Sequence, residues 1–205
     1  MSWPIKLVGT SLGMMVFFTV YFWVLNHPQF PVTIIPFTAV DRWIGFQPAA
    51  LPLYFSLWLY VSLAPALVID RRELWSMAVA WVALSAVGLG IFFFWPTAVP
   101  APDIDWSQHQ SIAWLKSTDA AGNACPSLHV AFAVFSAVWF ERLLRQMNAS
   151  RSARMLNWLW CVGILYSTIA TRQHVALDVL AGTVLGVIVA GVHLRWLRRS
   201  GEPNC

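Results

Sequence analysis

Residues 125–129, CPSLH, open the long apolar stretch VAFAVFSAVWF at residues 130–140. The proline suits the first turn of a helix and the serine can cap it, so the segment predicts a helix with a histidine in its first turn. A second segment, TRQH at residues 171–174, also precedes an apolar run, and Asp178 follows four residues after its histidine. Ionisable groups at such positions in an apolar chain are costly, which makes them candidates for function.

The composition is that of a polytopic membrane protein. Of 205 residues, 59% are hydrophobic and 11% are charged. A chain of this length that forms several membrane spans has no room for a separate soluble domain. We expect an all-α fold: one integral membrane domain over residues 1–205, built as a six-helix transmembrane bundle. The predicted helices span approximately residues 7–25, 49–69, 75–95, 127–145, 155–171 and 174–197.

The thirteen lysines and arginines are divided unevenly between the two ends of this bundle. Three fall at one end: Arg42, Lys116 and Arg172. Ten fall at the other: Lys6, Arg71, Arg72, Arg142, Arg145, Arg151, Arg154, Arg195, Arg198 and Arg199. The positive-inside rule then predicts that both termini are cytoplasmic and that both histidine segments face outward, to the periplasm if the membrane is a bacterial inner membrane. Because the basic residues are confined to particular loops, the positive net charge does not indicate nucleic-acid binding.

Two pairs of glycines have the spacing that lets helices approach closely. They are Gly182 with Gly186, and Gly9 with Gly13. We interpret both pairs as packing positions.

Three ionisable residues lie inside the predicted spans and away from their basic ends: His129, His174 and Asp178. The i, i+4 spacing of His174 and Asp178 lets the carboxylate orient the imidazole, as in nucleophilic catalysis. Helix N-termini bind anions, and Arg172 adds a bidentate partner for phosphate oxygens. This set predicts phosphoryl transfer through a phosphohistidine, in which His174 attacks phosphorus and His129 protonates the leaving alkoxide. The mechanism requires no metal and no cofactor.

At these residues the chain resembles the type 2 phosphatidic acid phosphatase superfamily, which has a six-helix core. Residues 126–129 resemble its second motif, Pro-Ser-Gly-His, with Leu128 in place of the glycine, where the larger side chain is expected to narrow the approach. His174 and Asp178 resemble the end of its third motif. The resemblance implies that His174 is the nucleophile, Asp178 its partner and His129 the acid, with Ser127 and Leu128 at the phosphate.

The chain departs from the superfamily where cations are expected. The first motif, a lysine followed by Arg-Pro, is absent, and residues 95–102 at its expected place carry no cation. The Ser-Arg pair of the third motif falls on residues 167–168, Ser-Thr. Arg172 and Lys116 are the predicted replacements. The segments CPSLH and TRQH are similar in form to the corresponding motifs of the inositolphosphotransferase-like branch. Asp41, Pro48 and Tyr54 are also similar to that branch.

The leading hypothesis is a phosphatase of a lipid phosphate, whose substrate is phosphatidic-acid-like, phosphatidylglycerophosphate-like or a polyprenyl phosphate or diphosphate. The chains of such a substrate would enter sideways between helices from the surrounding membrane lipids. A close alternative transfers a phosphoinositol-like headgroup to a lipid alcohol. Two further alternatives are a haem-binding protein with His129 and His174 as axial ligands, and a non-catalytic transporter or scaffold.

Overall fold

The described part of the chain is built almost entirely from helices. The structure, a computed structural model, describes residues 3–101, 104, 105, 108 and 122–201. Two short strands, β1 (Thr33–Ile34) and β2 (Thr97–Ala98), pair in parallel. The described residues form seven α-helices: α1 (Trp3–Asn26), α2 (Ala39–Ile44), α3 (Leu51–Leu67), α4 (Arg71–Phe94), α5 (Leu128–Gln146), α6 (Arg151–Ala170) and α7 (Ala176–Gly201). The all-α prediction is confirmed, and a long helix occupies each of the six predicted places.

Four of these helices are long and apolar enough to cross a membrane. The candidate spans are Lys6–Asn26, Pro48–Leu67, Arg71–Phe94 and Ala176–Arg199. Helices α5 and α6 have 19 and 20 residues, but charged residues in the last turns of α5 and the first turn of α6 lower their mean hydropathy. Six spans and cytoplasmic termini therefore stay predictions.

Side-chain caps explain why two helices begin earlier than predicted. Asp70 Oδ1 accepts the amide of Glu73 at 2.8 Å, so α4 begins at residue 71 rather than 75. Ser150 Oγ accepts the amide of Ala153 at 3.2 Å, so α6 begins at residue 151 rather than 155. Each cap satisfies an N–H group that the first turn of a helix leaves without a partner.

Helix α5 lies at the centre of the bundle, where it contacts α3, α4, α6 and α7. Its contact with α7 is close because two glycines of α7 face its backbone. A Cβ added at Gly182 would lie 2.4 Å from the Ser127 carbonyl oxygen, and one at Gly186 would lie 2.6 Å from that of Ala131. The predicted packing role of this glycine pair is confirmed.

The packing role predicted for Gly9 and Gly13 is wrong. A Cβ added at either position would meet no atom within 4 Å. Helix α1 lies beside α3 and α4, and both glycines line an open cavity between the helices rather than a helix contact. The spacing of two glycines does not distinguish a packed face from an open one.

A buried threonine holds the segment that leads into α5. The Thr97 carbonyl oxygen accepts the amide of Ala124 at 3.0 Å, and its Oγ1 accepts the amide of Cys125 at 2.7 Å. Thr97 lies in β2, which is itself paired to β1. The loops at this end of the bundle are therefore hydrogen-bonded to one another at the start of α5.

Candidate active site

The two histidines of the sequence motifs are in contact. His129 Nδ1 lies 3.4 Å from His174 Nε2. His129 occupies the first turn of α5, as predicted, whereas His174 lies two residues before α7 rather than inside it. The chain turns at Arg172, which has a left-handed φ of 59°, and this turn delays the start of α7. His174 is therefore held by a loop.

Asp178 is nevertheless beside His174. Its Oδ2 atom lies 3.6 Å from His174 Nδ1 and accepts the amide of Val175 at 3.0 Å. Both side chains are buried. A carboxylate in the first turn of α7 is also favoured by the helix dipole. The i, i+4 spacing brings the pair together although only Asp178 is helical.

The N-termini of α5 and α7 lie side by side. The Ser127 amide donates to the Asp178 carbonyl oxygen at 3.1 Å, and Ser127 Oγ accepts the amide of Val130 at 3.3 Å. Ser127 is fully buried, and the structure uses it as a helix cap; the substrate-binding role predicted for it stays a prediction.

Leu128 is part of the helix packing. Its side chain is buried against α4, since a Cβ added at Gly88 would lie 2.3 Å from Leu128 Cδ2. Leu128 also lines the apolar cavity that His129 borders, so the narrowing predicted for this leucine stays a prediction. Its amide is the first of α5, where helix geometry provides no partner within the helix.

Tyr54 of α3 contacts the other side of His129. The Tyr54 hydroxyl lies 2.9 Å from His129 Nε2, and the two ring centroids are 5.2 Å apart. Tyr54 is buried. The sequence analysis did not include Tyr54 among the site residues, because no local spacing connects residues 75 positions apart.

Asp41 of α2 ties the turn before α7 to the 38–41 segment. It is fully buried, and its Oδ1 accepts the amide of Ala176 at 2.8 Å while its Oδ2 accepts that of Thr38 at 2.7 Å. Arg172 Nη1 donates to the Asp41 carbonyl oxygen at 3.0 Å, and the guanidinium lies 5.0 Å from the centroid of the Phe37 ring. These contacts hold Arg172 beside the turn that carries His174.

Two buried polar groups next to His174 have no hydrogen-bond partner among the described residues. They are the carboxamide of Gln173 and Oδ1 of Asp178. Buried polar groups are usually hydrogen-bonded, so a polar ligand at this turn would complete their bonding. The sequence analysis did not single out Gln173.

A family model matches the part of the chain that contains these residues. The model of the PAP2 superfamily matches residues 73–202, which are 130 of the 205 residues. This chain belongs to the PAP2 superfamily. PAP2 members are phosphoester hydrolases. No curated protein and no solved structure matches the chain.

The PAP2 match includes both histidines, Arg172 and Asp178, and leaves out α1, α2 and α3. Tyr54 and Asp41 therefore belong to the part of this chain that the PAP2 model does not cover. Membership of the inositolphosphotransferase-like branch stays a prediction. Lys116, the other predicted phosphate ligand, lies outside the described residues.

The haem hypothesis for these two histidines stays a prediction. His129 Nδ1 and His174 Nε2 are 3.4 Å apart, so an iron bound by both nitrogens would have to displace their direct contact, as a phosphate would. Within the described residues, no group of three or more His, Cys, Asp or Glu side chains could hold a metal ion.

Cys125, next to the PAP2 second motif, is expected to be unreactive. Burial, and then the charge of the nearby Asp178 carboxylate, raises the pKa of its thiol to about 11. The thiolate is the reactive form, so below this pKa the thiol stays protonated and inert. We expect iodoacetamide at pH 8.5 to label Cys125 rapidly in the denatured protein and only slowly in the folded one, as measured by peptide mass spectrometry. Rapid labelling of the folded protein would contradict this.

Proposed function

We propose that this PAP2 protein is an integral membrane phosphatase that releases phosphate from a lipid phosphate through a phosphohistidine. The observation that carries the proposal is the contact series from Tyr54 through His129 and His174 to Asp178, in which each of the four ring nitrogens has its own neighbour. The proposed substrates are phosphatidic-acid-like, phosphatidylglycerophosphate-like or polyprenyl phosphates. The site faces the outer side of a bacterial inner membrane and uses no metal.

The neighbours of the two rings assign their roles. Asp178 beside Nδ1 of His174 favours a proton on that nitrogen, which leaves the lone pair of Nε2 available for attack. Tyr54 contacts Nε2 of His129, so the nitrogen that faces the nucleophile is Nδ1. His129 is thus oriented to exchange a proton with a group bound next to His174 Nε2.

In the first step, the substrate phosphate replaces the direct contact between the two histidines. His174 Nε2 attacks phosphorus, the P–N bond forms and the P–O bond to the lipid breaks. The leaving alkoxide takes the proton of His129 Nδ1, and the lipid leaves as an alcohol.

In the second step, His129 changes from acid to base. It takes a proton from a water molecule whose oxygen attacks phosphorus, the P–N bond breaks, and inorganic phosphate leaves. His129 is then protonated again for the next cycle, and His174 recovers its lone pair.

The phosphate oxygens are held by Arg172 and by the adjoining N-termini of α5 and α7, including the amide of Leu128. An arginine fork and helix N-termini both match the charge of a transferring phosphoryl group. Lys116 is a further proposed ligand. These groups take the place of the cations of the PAP2 first motif.

Hydrolysis and transfer share the phosphohistidine and differ only in the acceptor, so one experiment tests both. Purified protein is incubated with the proposed lipid phosphates and, separately, with a phosphoinositol-carrying lipid, each with and without a lipid alcohol. Inorganic phosphate and any alcohol that has gained a phosphate or a phosphoinositol headgroup are both measured. We expect phosphate release from at least one lipid, well above that of His174→Ala. Product formed only with the alcohol would instead establish a transferase. Phosphate release and transfer to the alcohol that both equal those of His174→Ala across the panel would contradict both functions.

A further inference from the structure

An elongated apolar cavity begins at the proposed site and extends along the bundle. Its volume is about 590 Å³, and α1, α3, α4 and α5 provide its walls. His129 and Tyr54 lie at one end, and Lys6 and Arg71 lie at the other. Between these ends the walls are mostly apolar and include the aromatic side chains of Phe17, Trp58 and Phe132.

The length of this cavity exceeds one leaflet of a bilayer. Tyr21, near the His129 end, is hydrogen-bonded to Asn123. Lys6, at the far end, donates to the carbonyl oxygen of Ala66 at 2.9 Å, next to the end of α3. Residues 6 and 21 of one α-helix are separated by about 22 Å along its axis. A single leaflet contributes about 15 Å of hydrocarbon.

Two glycines of α1 keep the cavity wide. Gly9 and Gly13 both line it, and a Cβ at either position would meet no atom within 4 Å. They are i and i+4, so they share one face of α1. Measured along the helix from Tyr21, Gly13 lies about 12 Å deep and Gly9 about 18 Å deep.

We propose that this cavity binds the hydrocarbon chain of the substrate lengthwise, and that Gly13 and Gly9 determine how long a chain it accepts. The proposal rests on the proposed function. We assign the cavity to the substrate's own chain because the cavity is continuous with His129, is apolar, and runs along the membrane helices. Its α1 and α3 walls lie outside residues 73–202, which the family model matches, so the match does not describe them.

Selection by such a site depends on shape. Lipid tails are as apolar as the cavity walls, so moving a chain from the bilayer into the cavity brings little hydrophobic gain. A side chain that fills the cavity therefore acts by steric exclusion at its own depth. A bulky residue at Gly13 should exclude chains that reach past about 12 Å, and one at Gly9 only chains that reach past about 18 Å.

The test compares Gly13→Phe and Gly9→Phe with Gly90→Phe. Gly90 of α4 is a matched control, because a Cβ there also meets no atom within 4 Å and Gly90 does not line the cavity. We expect Gly13→Phe to lower kcat/KM at least about tenfold for phosphates with acyl-length or longer chains and to leave a butyl phosphate unchanged. Gly9→Phe should affect only phosphates whose chains reach past about 18 Å, and Gly90→Phe none.

A binding measurement separates this proposal from the proposed function. Calorimetry with non-hydrolysable alkyl phosphonates of increasing chain length should show the same dependence on Gly13 and Gly9, whether or not the protein is a phosphatase. If wild-type protein releases no phosphate but binds these phosphonates in this pattern, the proposed function fails and the chain site stands. Losses that are equal for short and long chains, or no change in any variant, would overturn the chain site and indicate a structural lipid instead.

Discussion

Replacing His174 with alanine is expected to lower phosphate release on the order of 10⁴-fold or more, to the background of the assay. His174 Nε2 is the one protein atom that forms a bond to phosphorus in the proposed reaction. Its Nε2 faces His129 at 3.4 Å, and its Nδ1 faces the Asp178 carboxylate at 3.6 Å. Removing the nucleophile removes the covalent route altogether, since no other group in the mechanism can replace it.

The covalent intermediate provides the direct measurement. Wild-type protein mixed with a ³²P-labelled substrate and quenched in alkali should carry label that acid removes, and His174→Ala should carry none. His27→Ala is the control, because His27 is exposed just after α1 and has no role in the mechanism. Label retained by a folded His174→Ala protein would exclude His174 as the nucleophile.

Replacing His129 with alanine is expected to have an effect that depends on the leaving group. For an alkyl ester, whose alkoxide needs a proton, the rate of intermediate formation should fall by about 10²- to 10⁴-fold. For p-nitrophenyl phosphate, formation of the intermediate should be nearly unaffected, because this leaving group departs without a proton. His129 also activates the water, so labelled phosphohistidine should accumulate in this variant.

Tyr54→Phe should reproduce this pattern more weakly. Losing one hydrogen bond worth about 1 kcal/mol corresponds to an about fivefold lower rate of intermediate formation, and only alkyl esters should be affected. Tyr166→Phe is the matched control, since its hydroxyl is bonded to Gln47 at 2.7 Å and is exposed. Equal losses in the rate of intermediate formation from alkyl and p-nitrophenyl esters, in either His129→Ala or Tyr54→Phe, would show that the change disturbs the structure rather than proton transfer.

Local sequence patterns could predict those parts of the site that depend on neighbours in the chain. A first-turn histidine follows from the proline and serine before α5, and the proximity of His174 and Asp178 follows from a spacing of four. The exact starts of helices depend on caps such as Asp70 and on the turn at Arg172, which hydropathy does not reveal. The long helices were predicted because apolar runs extend over most of their length.

The contacts that complete the site join residues far apart in the chain. Tyr54 reaches His129 across 75 positions, and Asp41 reaches the amide of Ala176 across 135. Such pairs depend on how whole helices pack, which no short motif encodes. The same reason explains why the two glycine pairs differ. Gly182 and Gly9 each have a second glycine four residues later, but Gly182 faces the backbone of α5 and Gly9 faces a cavity.

The close seam between α5 and α7 determines which parts of this protein can move during a reaction. Gly182 and Gly186 bring the two backbones into contact immediately below the histidines, so the helices cannot separate without losing that packing. A phosphate cannot fit between ring nitrogens 3.4 Å apart. Space for it must therefore come from rotation of the two imidazoles or from movement of the turn that carries His174, rather than from separation of α5 and α7.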